Sequence, residues 1–226
     1  MAFLEIRHCS WPPPDEGNGL WNVDFTLDAG DVAIITSDTN EDARLFLRAL
    51  ASLEKPVTGE FLFKGEALSF ADYRHLLAYK RKVGYIALDA YLLSNRTLGE
   101  NLVLAQHFLD DTSSASLEPG RFGGRHLEEI RPKLALRPAK AFREDIRLAV
   151  IVRELSKNPE MILVERPDHD LDQTSYAEFV QTLSEIAAHK VPMVFYSFDQ
   201  NLIQSVANRR VCIQKGAVSV CPYVKD

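Results

Sequence analysis

The chain has 226 residues, of which 46% are hydrophobic and 26% are charged, as is typical of a folded globular protein. Its 26 Lys and Arg against 32 Asp and Glu give a net charge of −6. This balance argues against a nucleic-acid-binding protein, because such proteins neutralise phosphates with basic side chains. No apolar run approaches the roughly 20 residues of a membrane-spanning helix, and we predict no signal peptide. The three cysteines lack metal-ligand spacing, so we expect them to be reduced in a cytoplasmic protein.

The predicted elements begin with strands. Residues 2–8 alternate apolar and polar side chains, and residues 20–27 do so strictly, which indicates half-buried antiparallel strands. The short apolar run over 32–36 is typical of a strand covered on both faces. A polar turn over 37–40 and a predicted helix over 41–53 follow it. The chain therefore starts as a small antiparallel sheet and continues with a buried strand leading into a helix.

From residue 58 onward, the pattern alternates short strands with helices. Strands are predicted over 58–63, 82–88, 161–164 and 193–196, with a closing hairpin over 211–220. Helices are predicted over 73–80, 97–109, 144–156, 175–189 and 200–207, and a surface loop over 110–124. Such alternation predicts an α/β fold, in which a mostly parallel sheet is flanked by helices and an antiparallel β sub-domain precedes it.

Several framework segments occur in a specific order. They are Leu20–Phe25 with Gly30-Asp31, Leu47–Ala51 with Pro56 and Gly59-Glu60, Val83–Ile86 with Thr97–Leu102, and Val152–Leu155 with Asn158-Pro159, Pro167 and Leu171-Asp172. Together they make the chain resemble the nucleotide-binding domain of ABC transporters over nearly its whole length. The resemblance implies one P-loop NTPase-like domain over 1–226, with its core at 1–89 and 157–226 and a helical sub-domain at 90–156.

The phosphate loop of that family, G-x-x-G-x-G-K-S/T, binds phosphates through backbone N–H groups and lysine and holds Mg²⁺ through a hydroxyl. The aligned positions here are Ser37, Asp38, Asn40, Asp42, Ala43 and Arg44. Asp38, Glu41 and Asp42 would repel a phosphate, each by about 1–3 kcal/mol at a separation of roughly 5 Å. Arg44 cannot hold Mg²⁺, because a guanidinium carries donors only. This turn is therefore predicted to be a degenerate phosphate loop.

The other family motifs differ as well. By resemblance, the glutamine-loop residue aligns with Leu88, the switch histidine with Phe198, the Asp-Glu pair with Glu165 and Arg166, and the signature with Ala141, Phe142, Arg143, Glu144 and Asp145. Glu165 could still take a metal, whereas Arg166 cannot accept a proton as a general base would. Trp11, near the adenine position, and the D-loop Asp172 are the remaining candidates.

The missing motifs predict a catalytically inactive pseudo-ATPase that is a structural or regulatory module, with no catalytic residue, no resident metal and neither ATP nor Mg²⁺ bound. The resemblance implies a membrane permease-type subunit, docked near 88–101, or a second cassette as partner, with a homodimer as another arrangement. Its place would be cytoplasmic, peripheral to the inner face of the membrane. No nucleic acid or small-molecule substrate is expected. Two alternatives stay open, namely an atypical ATP-binding energising subunit and a soluble homodimeric scaffold.

Charged residues gather around the altered turn. We expect Arg44 and Arg166 to form an internal salt-bridge cluster there, and binding of a different anion is the alternative. The predicted partners in the cluster are Asp38, Glu41, Asp42 and Glu165.

Other charged or metal-ligating residues are interpreted as structural. Residues 168–170 with Asp172 favour a solvated turn over a metal cluster. The stripe of Arg143, Arg147 and Arg153 favours a solvated helix face over a nucleic-acid interface, because carboxylates interleave with it. The six histidines are scattered and share no nucleophile motif.

Overall fold

The computed structural model describes residues 2–14, 16–107 and 117–223, apart from the side chains of 105–107. The strands are β1 (Leu4–Trp11), β2 (Leu20–Leu27), β3 (Val32–Ser37), β4 (Thr58–Phe63), β5 (Glu66–Ala67), β6 (Val83–Ile86), β7 (Met161–Glu165), β8 (Met193–Tyr196), β9 (Arg209–Gln214) and β10 (Ala217–Pro222). The helices are α1 (Asn40–Leu50), α2 (Tyr73–Lys82), α3 (Leu98–His107), α4 (Gly124–Ile130), α5 (Arg143–Leu155), α6 (Gln173–Ala188) and α7 (Gln200–Val206), with 3₁₀ turns at Arg131–Lys133 and Pro138–Lys140.

The strands form two sheets. One is antiparallel, in the order β2-β1-β4-β5, and the other has the order β10-β9-β3-β8-β7-β6. In the second sheet, β9, β3, β8, β7 and β6 run parallel, and β10 pairs antiparallel with β9. The predicted α/β class, with a mostly parallel sheet and an antiparallel β sub-domain, is confirmed. The parallel order places the carboxyl ends of β3, β8 and β7 side by side at one edge.

The first strand is longer than its sequence pattern indicates. Strand β1 continues to Trp11, but its register with β2 and β4 shifts beyond residue 6, and His8 has a φ of 51°. The irregularity interrupts the alternation of apolar and polar side chains, and for this reason the strand predicted from the sequence stopped at residue 8. A Cβ at Gly59, whose φ is +89°, would lie 2.4 Å from the Arg7 carbonyl oxygen, so the bulge requires glycine there.

The helix boundaries follow local capping chemistry. The Thr39 side chain accepts a hydrogen bond from the Asp42 N–H and begins α1. Before α3, the Thr97 hydroxyl accepts from the Glu100 N–H (3.1 Å), and Glu100 accepts from the Thr97 N–H (2.7 Å), which confirms the predicted capping box. Most of the predicted loop over 110–124 lies outside the described residues. Helix α4, which begins at Gly124, was not predicted because seven residues show little periodicity.

The apolar side chains divide into three clusters. The first joins the antiparallel sheet to α1, where Phe25 meets Phe46 edge to face. The second packs α5, α6 and α7 onto the parallel sheet, and the third lies among α3, α4 and α5. Helix α5 contributes to the second and the third clusters, so it links the sheet to the helices inserted between β6 and β7. Among the described residues, no helix is long and apolar enough to cross a membrane.

Candidate functional site

The turn after β3 is held by the chain's own groups. The Asp38 N–H donates to the Ile213 carbonyl (3.2 Å), and an Asp38 carboxylate oxygen accepts from the Lys215 N–H (2.9 Å). The hairpin of β9 and β10 therefore fixes Asp38 from one side. Ala43, at the position of the phosphate-loop lysine, is fully buried in the first apolar cluster.

The Asp42 carboxylate organises the other side of the same turn. It is 1% exposed and accepts hydrogen bonds from the Asn18 N–H (2.9 Å), the Asn18 side-chain amide (2.8 Å) and the Gly19 N–H (3.1 Å). A Cβ at Gly17, whose φ is +99°, would lie 2.7 Å from the Asp42 Oδ1 atom. Glycine at 17 thus lets residues 17–19 lie against the first turn of α1.

A cation and a carboxylate from different elements meet beside this turn. Glu165, at the end of β7, is 1% exposed, and its Oε1 atom lies 2.6 Å from the Arg44 Nε atom of α1. Its Oε2 atom accepts from the Leu88 N–H (3.0 Å) and the Tyr85 hydroxyl (3.4 Å). Arg44 also contacts Asp89 (2.9 Å). Burial lowers the pKa of Arg44, the carboxylates of Glu165 and Asp89 raise it, and the net shift is upward.

Arg147 of α5 is hydrogen-bonded to the chain at the carboxyl ends of β6 and β7. It is 4% exposed and donates to the carbonyl oxygens of Ala87 (2.6 Å), Glu165 (2.7 Å) and Arg166 (2.9 Å). Burial lowers its pKa to about 10, which leaves it charged at neutral pH. The predicted solvated face is therefore wrong for this arginine, whose role is to fix the chain after β6 and β7. Arg143, by contrast, is exposed.

The expected salt-bridge cluster forms only in part. Arg44 and Glu165 come together, whereas Asp38 and Asp42 accept hydrogen bonds from N–H groups. Arg166 turns to Asp168, with Nη2 and Oδ2 2.8 Å apart, and lies 4.8 Å from the ring centre of Phe198. The turn after β7 is thus closed by its own ion pair.

The segment aligned with the family signature begins α5. Phe142 is exposed, and its N–H donates to the buried Asp145 carboxylate (2.9 Å). Glu144 accepts from the Asp172 N–H (3.0 Å), and Asp172 in turn caps α6 by accepting from the Ser175 N–H (2.8 Å). That hydrogen bond lowers the pKa of Asp172. Ala141 packs against the third apolar cluster. The structure therefore joins the start of α5 to the start of α6.

The aromatic residues Trp11 and Tyr196 differ in their surroundings. Trp11 is 1% exposed, and its indole N–H donates to the Glu54 carbonyl (3.1 Å), so its ring has no free face for stacking on a base. This placement goes against the sequence assignment of Trp11 to an adenine position. Tyr196, at the end of β8, donates through its hydroxyl to the Asn40 side chain, which links β8 to the start of α1.

Known proteins resemble this chain in sequence and in fold. No protein-family model matches the chain. It is 20% identical over 216 residues to the cell division ATP-binding protein FtsE of Bacillus subtilis, covering 96% of this chain and 94% of that protein. It is 26% identical over 216 residues to the arginine/ornithine transport ATP-binding protein AotP of Pseudomonas aeruginosa, covering 90% and 85%. A dimeric ATP-binding cassette in a post-hydrolysis state, bound to ADP and Pi, matches with a TM-score of 0.80 at 20% identity, covering 97% and 98%.

The chain has the fold of the ATP-binding cassette domain of ABC transporters. Its sequence is similar to cassette proteins over nearly its full length. The relatives are named as ATP-binding proteins, and the structural neighbour holds ADP and Pi. These findings contradict three linked predictions, namely an inactive pseudo-ATPase, a protein that is not an enzyme, and a cassette without ATP and Mg²⁺. Those predictions were wrong, and they rested only on the residues found at the aligned motif positions.

Sequence reasoning missed two parts of this ATP-binding cassette fold. It did not find residues 17–19 against α1, although the two glycines flanking Asn18 are a sign of a close backbone approach. It also missed the buried position of Arg147. The interval of 18 residues between Arg147 and its carbonyl partner Glu165 carries no local pattern, so only the packed fold brings the two together.

Proposed function

We propose that this chain is an atypical ATP-binding subunit of a membrane transport complex, located at the cytoplasmic face of the membrane. The observation that carries the proposal is the pair of Arg44 and Glu165 at the carboxyl edge of the parallel sheet, with Nε and Oε1 2.6 Å apart. Ligands of open α/β sheets bind at that edge. A cassette fold with a cation and a carboxylate at this place has the charges that a phosphate and a metal ion require.

Arg44 would take the part of the phosphate-binding cation. Its guanidinium offers a fork of donors suited to phosphate oxygens, and about a third of its side chain is exposed. Glu165 is the carboxylate that would hold Mg²⁺, since a carboxylate oxygen is a ligand that Mg²⁺ prefers. Because Arg44 and Mg²⁺ compete for the same carboxylate, nucleotide binding would have to change this ion pair.

The remaining aligned positions belong to one domain, whose core is 1–89 and 157–226 and whose helical sub-domain is 90–156, and the signature would face the nucleotide of a partner cassette. They are proposed as the phosphate-loop positions Ser37, Asp38, Asn40, Asp42 and Ala43, the second position of the Asp-Glu pair (Arg166), the glutamine-loop and switch positions Leu88 and Phe198, the signature Ala141, Phe142, Arg143, Glu144 and Asp145, and the D-loop Asp172.

Calorimetric titration with MgATP tests the proposal, together with an assay of phosphate release. The wild-type chain is expected to bind MgATP saturably and Arg44→Gln to bind at least about tenfold more weakly, a change of about 1.4 kcal/mol. Arg74→Gln is the matched control, because Arg74 is an exposed arginine on α2. Arg44→Gln keeps a donor for Glu165, and a thermal unfolding curve establishes that the variant is folded.

The wild-type titration is decisive. If the wild-type chain shows no saturable binding of MgATP, or if Arg44→Gln binds as well as wild type, the proposed nucleotide role is contradicted. Equal losses in Arg44→Gln and Arg74→Gln would contradict the assignment to this site, because they would report a general effect of removing positive charge.

A groove between the sheet and the helices is the proposed docking place for the membrane partner. Its cavity has a volume of about 320 Å³. Basic side chains outnumber acidic ones along it, and Tyr91, 85% exposed, lies beside it through the contact of its carbonyl oxygen with Arg153 (3.2 Å). The lining residues are Arg48, Ala51, Leu53, Lys80, Val83, Tyr85, Ala87, Asp89, Ala90, Arg153, Glu154 and Lys157. We infer that the occupant is a cytoplasmic segment of a permease-type subunit with apolar and acidic side chains.

Membrane fractionation tests the groove in cells that lack the native gene and carry a plasmid copy. Tyr91→Asp is expected to lower the membrane-bound fraction of the chain several-fold, because a carboxylate replaces an apolar contact. Tyr73→Asp is the matched control, since Tyr73 is also exposed but lies on α2. An equal membrane-bound fraction for wild type and Tyr91→Asp would contradict docking at this groove.

A further inference from the structure

A second cluster of ligand-type side chains lies away from the candidate nucleotide site, between α4 and α6. His126 and Glu129 are three positions apart on α4, which places them on the same helix face. Glu178 comes from α6. One ligand atom from each residue, a ring nitrogen or a carboxylate oxygen, lies within 4.8 Å of the others. We call these three residues the α4–α6 cluster.

Two atoms of the cluster face each other without hydrogen-bond partners. The side chain of His126 is completely buried, yet its Nδ1 atom has no hydrogen bond within the described part of the chain. The Glu129 Oε2 atom also has none there, and it lies 3.8 Å from that nitrogen. Buried polar atoms nearly always have partners, so two such atoms directed at one another indicate a missing ligand.

The neighbouring threonine offers the imidazole a partner for a proton on Nε2. The Thr182 hydroxyl lies 3.0 Å from both the Glu178 carbonyl oxygen and the His126 Nε2 atom and accepts from Arg125 (3.4 Å), so a hydroxyl that donates to the carbonyl accepts from Nε2. In that arrangement the ring proton is on Nε2, and the lone pair of the unpartnered Nδ1 is available to a ligand. Burial and the nearby charge of Arg125 lower the pKa of His126 to about 4, which keeps the ring neutral at neutral pH. A neutral imidazole whose second nitrogen donates outward is the usual state of a metal-bound histidine.

The electrostatics around the cluster also favour a cation. The Ser175 hydroxyl lies between Glu129 and Glu144 and has one proton to share between two carboxylates. Burial raises the pKa of Glu129, and the carboxylates of Glu178, Glu144 and Asp172 add to that effect, although the bond from Ser175 opposes it. Arg125, the cation beside the cluster, donates to Glu185 (3.2 Å) and to the Thr182 hydroxyl (3.4 Å), so its charge is shared with a carboxylate outside the cluster. The carboxylates that act on Glu129 thus come from α5, from α6 and from the residue that caps α6.

We propose that His126, Glu129 and Glu178 form a binding site for a divalent transition-metal cation of the zinc class. One imidazole nitrogen and two carboxylate oxygens are a donor set that zinc accepts, with water as the fourth ligand. Ligand atoms of a tetrahedral zinc site are about 3.3 Å apart, so the atoms of the cluster, which lie within 4.8 Å of one another, would have to move closer to bind the ion. Glu129 and Glu178 are half-buried and give the ion a path from solvent.

A bound ion would connect parts of the fold that the proposed nucleotide site uses. It would tie α4 to α6, and α6 begins at the cap Asp172, which bonds to Glu144 at the start of α5. The site does not depend on ATP. Its test can therefore fail or succeed independently of the proposed function.

Titration of the chelator-treated full chain with Zn²⁺ tests the proposal. We expect one equivalent to bind, an increase in the unfolding temperature, and intense visible absorption with Co²⁺, which reports tetrahedral coordination. Glu129→Gln and His126→Gln are each expected to weaken binding at least about tenfold. Thr182→Val, which removes the acceptor for Nε2, is expected to weaken binding by about 10–100-fold without removing a ligand.

The controls distinguish this site from adventitious binding. His189→Gln changes an exposed histidine near the end of α6 and should leave the affinity unchanged, as should Cys221→Ser, which removes an exposed thiol. If His126→Gln does not fold, Glu129→Gln and Glu178→Gln decide the question at half-buried positions. The absence of saturable Zn²⁺ binding, or equal affinity in wild type and Glu129→Gln, would overturn the proposal.

Discussion

Glu165 and Glu129 are both carboxylates in polar clusters of this fold, and they differ in how fully their partners satisfy them. Both oxygens of Glu165 accept contacts, from Arg44 on one side and from Leu88 and Tyr85 on the other. One oxygen of Glu129 accepts from Ser175, and the other faces an imidazole nitrogen that also lacks a partner. The difference teaches that a ligand at Glu165 would have to displace existing contacts, whereas a ligand at Glu129 would supply a missing one.

The same difference appears in the cations. Arg147 donates through its two terminal nitrogens to three carbonyl oxygens around Glu165 and so holds the chain there. Arg125, beside the α4–α6 cluster, pairs with Glu185. Among the described residues, no arginine or lysine forms an ion pair with Glu129. The first cluster is therefore expected to contribute to stability as it stands, and the second to contribute more once an ion is bound.

The largest expected effect on the free energy of unfolding comes from removing the Arg147 side chain. Arg147→Ala should lower the free energy of unfolding by about 3–5 kcal/mol, because three buried carbonyl oxygens lose a charged donor. Arg143→Ala, one turn earlier on the same helix and exposed, should change it by less than about 0.5 kcal/mol. Urea denaturation of both variants measures the difference. Similar values for the two would break the contrast between a saturated cluster and a solvated face.

The next effect concerns pH. The pKa of His126 is lowered from 6.5 to about 4, so the unfolded chain binds this proton first as the pH falls. The metal-free protein should therefore lose stability between pH 6.5 and 4, by up to about 3 kcal/mol from this residue. The raised pKa of Glu129 acts in the opposite direction.

Comparing His126→Gln with wild type isolates the histidine contribution. Urea denaturation with chelator present, at several pH values between 7 and 4.5, should show a smaller loss of stability in the variant. Parallel pH dependences in the two proteins would mean that His126 does not titrate as the structure indicates.

The smallest expected effect on stability comes from changing Glu165, whose two carboxylate oxygens both have partners. Glu165→Gln keeps an acceptor but removes the charge opposite Arg44, so the free energy of unfolding should fall by about 1–3 kcal/mol. Asp89→Asn, which changes the exposed partner of Arg44, should cost less than about 1 kcal/mol. A larger cost for Asp89→Asn than for Glu165→Gln would show that the buried contact is not the stronger of the two.

The general architecture could be predicted from the sequence because its signals are local. The apolar runs at 161–164 and 193–196, the alternation over 20–27 and the capping pair of Thr97 and Glu100 all appear in the structure where they were expected. Helix α4 was missed because it is short, and β1 was shortened because a bulge interrupts its alternation.

The candidate site was predictable only as a set of positions. The alignment named Arg44 and Glu165, and their separation of 121 residues in sequence gave no sign of which carboxylate Arg44 would choose. It also led to the wrong prediction of an inactive protein, because a motif records which residues are absent at fixed positions. It does not record a cation and a carboxylate that come together from different elements.

The sequence by itself determined the fold class, the order of its elements and the turns at which charged residues replace familiar motif residues, since these depend on neighbouring residues. The tertiary structure alone decided which charges are satisfied. Asp42 is bonded by Asn18 and Gly19, and Arg147 is buried against the end of β7, whereas the nitrogen of His126 faces the carboxylate of Glu129. Hydrogen-bond satisfaction depends on atoms brought within about 3 Å by packing, and packing is a property of the whole chain.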